Sequence, residues 1–217
     1  MADKYVDIDT LKYMLYDVHK LEDLLDRERF VDHDKESLDM FLESTKDFAD
    51  RELFPYIKEM DEKPAYHKDG KVYVHSQVET MMKKGGELGF ISASFDYDIG
   101  GMQIPLMAHT AATYILDAAN NHLPGYAGLT QGAAELIIHF ASKDLVDTYV
   151  PDMLSGNWGG TMCLTESQAG SSLSDIVTKA KPTQNGYYNI SGQKIFISAG
   201  DNQFAENIVH LVLARVE

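Results

Sequence analysis

The sequence predicts an α+β protein in which an all-helical N-terminal bundle precedes an incomplete antiparallel β-domain. Apolar residues recur at helical spacing through about the first 155 residues, and short strand-like runs follow. The pair Asn185-Gly186 is the strongest short-range signal for a β-hairpin. We therefore divide the chain into a helical domain at residues 1–156 and the first part of a β-domain at residues 157–217.

The first helices follow from regular apolar spacing. Leu11, Leu15, Val18, Leu21 and Leu25 recur every three to four residues. Asp34 is a candidate N-cap for the next helix, which Pro55 should kink or re-cap. Further helices are predicted at residues 78–88, 105–121, 124–141 and 143–154, with a loop at residues 89–103.

The last quarter of the chain reads as strands. We expect them at residues 158–164, 175–181, 187–190, 193–198 and 206–215. The last of these is apolar on both faces, so it should be covered on both sides. Left uncovered, it should cause self-association.

Charge and composition exclude several classes of function. A formal net charge of −15 and a pI of about 4.8 argue against binding to nucleic acid or to an anionic membrane. The single cysteine, Cys163, allows no disulfide within the chain and favours a reducing compartment. The N-terminus lacks a signal-peptide core, and no apolar run reaches the ~20 residues that span a bilayer. We expect a cytoplasmic location.

Two segments carry candidate chemistry. Residues 159–172 run from a strand into a loop of small residues, with hydroxyls at Thr165, Ser167, Ser171 and Ser172. Such a loop lets a ligand approach its backbone N–H groups, although an ordinary connection between strands has the same composition. The second segment, residues 194–200, reads Lys-Ile-Phe-Ile-Ser-Ala-Gly.

Together these segments closely resemble the flavin-binding signatures of the acyl-CoA dehydrogenase family. The resemblance extends to other positions and is closest to the longer members, the group that includes 3-methylmercaptopropionyl-CoA dehydrogenases. Those positions are Gly89, Gly100-Gly101, Leu129-Thr130, Gly156, and residues 178–180 and 206–215. Two positions depart from the family pattern, because relatives usually have proline where Ser167 stands and aspartate where Ser172 stands. Either change could weaken cofactor binding.

The resemblance implies an FAD site and assigns residues to it. Thr165 would hydrogen-bond the flavin near N1 and O2, and Ser198 would donate to N5, which receives hydride. Phe196 would pack near the isoalloxazine, although core packing is the commoner fate of a strand aromatic. Ser171 would lie near the pyrophosphate and the acyl-CoA substrate. The remaining cofactor-binding positions are Met162, Leu164, Gly170 and Ile197.

The resemblance also implies the reaction, which is α,β-dehydrogenation of an acyl-CoA thioester. Family members supply the catalytic glutamate from a C-terminal helical bundle, so we expect no catalytic base within these 217 residues and no activity from them alone. The usual partners would be an electron-transfer flavoprotein and further copies of the subunit. One alternative is a non-enzymatic binding or assembly module, mildly favoured by Ser167 and Ser172. A further class, a flavin monooxygenase or nitroalkane oxidase on the same fold, is disfavoured by the closeness of the dehydrogenase signatures.

Other reactive side chains give weaker indications of function than these two segments. The histidines show no metal-ligand spacing. Cys163 lies mid-strand without an evident base, which favours a buried structural thiol. Glu166 and Glu135 lack an obvious acid–base partner, and we interpret both as surface or hydrogen-bonding residues.

Overall fold

A computed structural model describes residues 5–217, and it has the predicted order of helices followed by small sheets. The helices are α1 (Ile8–Tyr13), α2 (Glu22–Leu25), α3 (Lys35–Phe48), α4 (Ile57–Glu62), α5 (Gln77–Glu87), α6 (Leu106–Asn120), α7 (Pro124–Phe140) and α8 (Lys143–Leu154). The strands are β1 (Tyr66–Lys68), β2 (Lys71–Tyr73), β3 (Trp158–Cys163), β4 (Lys179–Pro182), β5 (Tyr188–Ser191), β6 (Asn207–Val212) and β7 (Arg215–Val216).

Helix α3 begins and ends as its sequence predicts. Asp34 is its N-cap: the carboxylate accepts from the Ser37 backbone N–H at 2.7 Å, and the Ser37 hydroxyl accepts from the Asp34 backbone N–H at 3.0 Å. These bonds satisfy donors that the first turn otherwise leaves free. Past Phe48 the chain continues through a π-turn and a 3₁₀ turn containing Pro55, and α4 follows.

One hairpin was not predicted from the sequence. Strands β1 and β2 pair across Asp69-Gly70, where both residues have positive φ, as a type I′ turn requires. The rings of Tyr66 and Tyr73 stack at 5.2 Å across the pair. The Asp-Gly pair is a recognised hairpin signal, but the flanking strands have only three residues each and lie exposed, so their apolar alternation is weak.

The helical core reaches the first strand of the second part. Helix α7 packs against α8 and against β3. At Gly160 of β3, a Cβ would lie 2.8 Å from the Ala133 and Met153 side chains, so only glycine permits this approach. The Gly160 N–H donates to the Thr130 hydroxyl at 3.0 Å, which joins the strand to α7 through a buried hydrogen bond.

The sheets correct part of the antiparallel prediction. Strands β4 and β5 form the expected antiparallel hairpin, whereas β3 pairs with β6, and β4 with β7, in parallel. The chain leaves β3 and returns after about 40 residues, which is long enough for the crossover that a parallel pair needs. Val209 and Leu211 of β6 pack on the helical core, so that core covers one face of this strand.

Two strand boundaries also differ from the prediction. The strand expected at residues 175–181 begins only at Lys179, after a 3₁₀ turn at Leu173–Asp175. Residues 193–198 form no strand, and positive φ at Phe196 and Ala199 breaks the extended backbone. Hydrogen bonds to the loop after β3 hold this segment instead.

In the part of the chain that the structure describes, no helix combines the length and hydrophobicity needed to cross a membrane.

Candidate functional site

The two segments singled out from the sequence meet in the structure. The backbone N–H of Ile195 donates to the carbonyl of Thr165 at 2.9 Å. The ammonium of Lys194 donates to the carbonyl of Leu164, also at 2.9 Å. Residues about 30 apart in sequence therefore lie side by side where β3 ends. We call residues 164–172 the first loop and residues 194–200 the second loop.

The first loop contains a tight turn. Glu166 and Ala169 exchange backbone hydrogen bonds of 3.0 and 3.1 Å, with Ser167 and Gln168 at the tip. The Ser167 hydroxyl donates to the Gln168 side chain at 3.1 Å. The turn therefore closes with serine at the position where proline is usual in the family.

The carboxylate of Glu166 lies buried at the centre of the site. Its side chain is 1% exposed and accepts from the Val177 and Thr178 backbone N–H groups at 2.8 and 3.0 Å. The Gln168 amide and the Lys194 ammonium donate to it at 2.7 and 2.8 Å. Burial alone would raise the pKa of Glu166, but the Lys194 ammonium and the backbone donors outweigh it and hold this pKa well below its ordinary value.

Lys194 is the matching cation. Its side chain is 9% exposed, and its ammonium bridges Glu166 and the Leu164 carbonyl. A buried charge is tolerated where it is paired and hydrogen-bonded. The pair therefore links the first loop, the second loop and the chain entering β4.

The hydroxyls assigned to a flavin lie on the same two loops and make no hydrogen bond to described protein atoms. The side chains of Ser171 and Ser198 are exposed, and that of Thr165 is half-buried. Within residues 5–217 none of these three hydroxyls makes a hydrogen bond to protein. Phe196 is 88% exposed, and its ring stacks on no other described aromatic ring.

The remaining assigned residues differ in burial. Met162, Leu164 and Ile197 are half-buried, and Gly170 faces open space. The expected alternative for Phe196, core packing, is wrong because this side chain is exposed. Cys163 is buried as expected, and Glu135 is exposed.

Sequence analysis missed the Glu166–Lys194 pair and expected only a surface or hydrogen-bonding role for Glu166. A signal was present, because each of the two segments carries one charged residue next to its apolar run. Nothing in the spacing says that two charges 28 residues apart will meet. Only the parallel return of the chain to β3 brings the two loops together.

The donors present suit a flavin. The three free hydroxyls and the open loop backbone are neutral hydrogen-bond donors that suit the polar edge of an isoalloxazine, and the exposed Phe196 suits its flat face. The buried charged pair of the two loops, Glu166 and Lys194, is internally neutralised.

Comparison with known proteins identifies the family. The family model described as "Acyl-CoA dehydrogenase, N-terminal domain" matches residues 35–157. A 3-methylmercaptopropionyl-CoA dehydrogenase of Ruegeria pomeroyi is 36% identical over 174 residues, which cover 80% of this chain and 30% of that protein. A butyryl-CoA dehydrogenase of Syntrophomonas wolfei is 43% identical over 114 residues, covering 52% of this chain and 19% of that protein.

A solved structure shares the fold. The glutaryl-CoA dehydrogenase of Mycobacterium smegmatis in complex with FADH2 superimposes with a TM-score of 0.70 at 19% identity, over 89% of this chain and 45% of that one. The chain spans less than half of each of these three relatives. On the family match and the shared fold, this chain belongs to the acyl-CoA dehydrogenase family.

Proposed function

We propose that this chain forms the helical domain and the first part of the β-domain of an FAD-dependent enzyme that dehydrogenates an acyl-CoA between its α and β carbons. The observation that carries the proposal is the meeting of the two loops, with free hydroxyls at Thr165 and Ser198 and an exposed ring at Phe196. The family match adds support over residues 35–157. The domain boundary at residues 156 and 157 is part of the proposal, since α8 ends and β3 begins there.

In this proposal the chain's residues bind and orient the flavin and the acyl-CoA. Thr165 would hold the flavin edge near N1 and O2, where negative charge develops on reduction. Ser198 would hold the flavin near N5, and Phe196 would lie against the ring. FAD, when bound, supplies the acceptor for the substrate's β-hydride. Ser171 and Gly170 face the pyrophosphate, with Ser171 also near the acyl-CoA, and Met162, Leu164 and Ile197 complete the binding surface.

The α-proton would go to a carboxylate outside residues 1–217. We therefore expect a polypeptide limited to these residues to turn over no acyl-CoA with an artificial electron acceptor. A positioned general base typically contributes 10²- to 10⁴-fold. Turnover by this polypeptide would contradict that placement of the base. An electron-transfer flavoprotein as acceptor, assembly with further copies and a cytoplasmic location belong to the same proposal.

The decisive experiment measures the flavin reduction potential in the complete protein. Thr165→Ala and Ser198→Ala should each lower it, because each removes a donor that stabilises the reduced ring. A hydrogen bond to a charged group is worth roughly 1.5–3 kcal/mol, which corresponds to about 30–60 mV for a two-electron couple. Ser191→Ala, an exposed hydroxyl on β5, is the matched control. Unchanged potentials in both variants with FAD bound would contradict the assignment.

A second candidate is a non-enzymatic module that keeps the fold. The observation in its favour is serine at positions 167 and 172, where the family pattern usually has proline and aspartate. Flavin titration of the complete protein distinguishes the two functions. A module without cofactor would leave flavin absorbance and fluorescence unchanged, whereas the enzyme would perturb both.

A further inference from the structure

We propose that Glu166 and Lys194 are positioning residues, which fix the Thr165 and Ser198 hydroxyls in one geometry toward the flavin. The inference rests on the proposed function and concerns side chains that do not themselves face the cofactor. Glu166 directly follows Thr165, and Lys194 precedes Phe196 by two residues and Ser198 by four. The pair therefore stands behind both cofactor-facing segments.

The hydrogen bonds show how the two segments are tied. Lys194 spans from the Glu166 carboxylate to the Leu164 backbone carbonyl, so one ammonium binds the residues on both sides of Thr165. One direct backbone bond, from Ile195 to Thr165, completes the link. The second loop makes no regular strand pairing of its own, so these bonds decide where it lies.

Glu166 fixes the first loop from the opposite side. Its carboxylate accepts both backbone N–H groups of Val177 and Thr178, which belong to the chain entering β4. A carboxylate with four donors has nearly all of its acceptor sites satisfied, so it has one preferred orientation. Glu166 thus places the turn at Thr165 relative to the sheet, and Lys194 places the second loop relative to that turn.

Burial distinguishes this pair from the other ion pairs of the same region. The exposed pair Lys179–Glu217 joins β4 to the end of the chain with side chains 54% and 43% exposed, against 9% and 1% for Lys194 and Glu166. Exposed pairs contribute little because solvent screens them. Buried pairs are weak evidence for stability and are best explained where they specify one arrangement. The arrangement specified here is that of the two loops.

The experiment uses three variants: Glu166→Gln, Lys194→Met, and the two combined. Each single variant leaves a buried charge unpaired, so both unfolding midpoint and flavin binding should fall. The combined variant removes both charges and keeps side chains of similar size, so its unfolding midpoint should recover. Glu217→Gln is the matched control, because it breaks the exposed ion pair.

The readouts are hydrogen exchange of the apo protein and FAD titration of the complete protein. Exchange at the Ile195 amide should quicken about tenfold in the combined variant and stay unchanged in the control. The FAD dissociation constant should rise about tenfold, with a shifted flavin absorbance band, although the unfolding midpoint has recovered. Residues that orient metal ligands have effects of about this size.

The outcomes distinguish the positioning role of the Glu166–Lys194 pair from the proposed function. A combined variant with wild-type exchange, FAD affinity and flavin spectrum would show that the pair only stabilises the fold, and the inference would be overturned. Failure of the wild-type complete protein to bind FAD would overturn the proposed function itself. Recovered stability together with weakened and spectrally altered FAD binding supports positioning.

Discussion

The helical part and the strand-rich part of this molecule are held together differently. Among the described residues, every member of the apolar core cluster lies before Ser155, and only Trp158, Val209 and Leu211 of the later chain pack against it. From the last residue of β3 onward the buried apolar side chains are few and mostly small: Cys163, Ala169, Ile176 and Ala180. The centre of the strand-rich part is instead the Glu166–Lys194 pair with its backbone partners.

This difference follows from what each part has to do. Apolar burial is non-directional, and its free energy scales with the buried area. It therefore stabilises the helical part without fixing each contact precisely. Buried hydrogen bonds and ion pairs add little net stability, but they demand particular geometry. The helical part therefore provides most of the stability, and the buried polar pair of the strand-rich part fixes the geometry of its two loops.

The largest expected effect comes from a cavity in the helical core. Leu42→Ala, at a fully buried position of α3, should lower the free energy of unfolding by about 2–5 kcal/mol. Ile190→Ala, at a position 53% exposed on β5, should change it by less than about 0.5 kcal/mol. Urea unfolding followed by circular dichroism measures both. Equal losses would refute the division between the parts.

A matched glycine pair tests backbone crowding at the boundary between the two parts. Gly156 and Gly186 have nearly equal positive φ, +78° and +79°. A Cβ at Gly156 would lie 1.9 Å from the Met82 carbonyl oxygen, whereas at Gly186 nothing lies within 4 Å. Gly186→Ala should therefore cost only the conformational strain of about 1–3 kcal/mol, and Gly156→Ala should cost more. Equal unfolding midpoints for the two would contradict a rigid contact between α5 and the turn after α8.

The two parts should also lose stability in different pH ranges. Burial lowers the pKa of His109 in α6 below its ordinary 6.5, so below about pH 6.5 the unfolded chain binds the extra proton and stability falls. The pKa of Glu166 lies below its ordinary 4.5, so its contribution is present above about pH 4.5 and is lost as the pH falls further.

The loss of stability in the pH range of His109 has an upper limit and a matched control variant. Each proton contributes at most about 1.4 kcal/mol per pH unit. His109→Gln should flatten the fall in the free energy of unfolding between about pH 6.5 and pH 5, whereas His67→Gln on the exposed strand β1 should not. A flat wild-type profile over that range would show that His109 gains its proton without cost.

The smallest expected effect is self-association through the three-stranded sheet of β5, β4 and β7. Ile190, Ala180 and Val216 are aligned across β5, β4 and β7, with Ile190 and Val216 53% and 69% exposed. Burying a few hundred Å² of apolar surface, at about 25 cal/mol per Å², favours association before entropic costs are subtracted. Salt screening limits the range of the repulsion between the negatively charged chains to about 8 Å. We expect light scattering in 0.15 M salt to show dimers at micromolar protein.

The variant for this test is Ile190→Lys combined with Val216→Lys, which should restore the 24.3 kDa monomer. The sequence pointed to residues 206–215 as the associating strand, but the helical core covers one face of β6. A monomeric wild-type chain would show that the apolar row on the three-stranded sheet is too small to support a dimer.

The sequence by itself determined most of the helices, the cap of α3 and the hairpin of β4 and β5. Asp34 caps α3 through a residue three positions away, and Asn185-Gly186 closes a hairpin between adjacent strands, so neighbours in sequence contain all the information. Local chemistry fixes such features before any long-range contact forms. The two loops were singled out because their sequences resemble the signatures of a known family.

Only the tertiary structure decided the pairing of β3 with β6, the irregular backbone at residues 193–198 and the ion pair that joins the two loops. Each depends on where a distant segment returns, and a pattern of period two is the same for parallel and antiparallel partners. Residues 193–198 carry β-branched and aromatic side chains typical of a strand, yet their hydrogen bonds go to Leu164, Thr165 and Glu166. The partner that satisfies a backbone group is a property of the folded chain, and here that partner lies about 30 residues away.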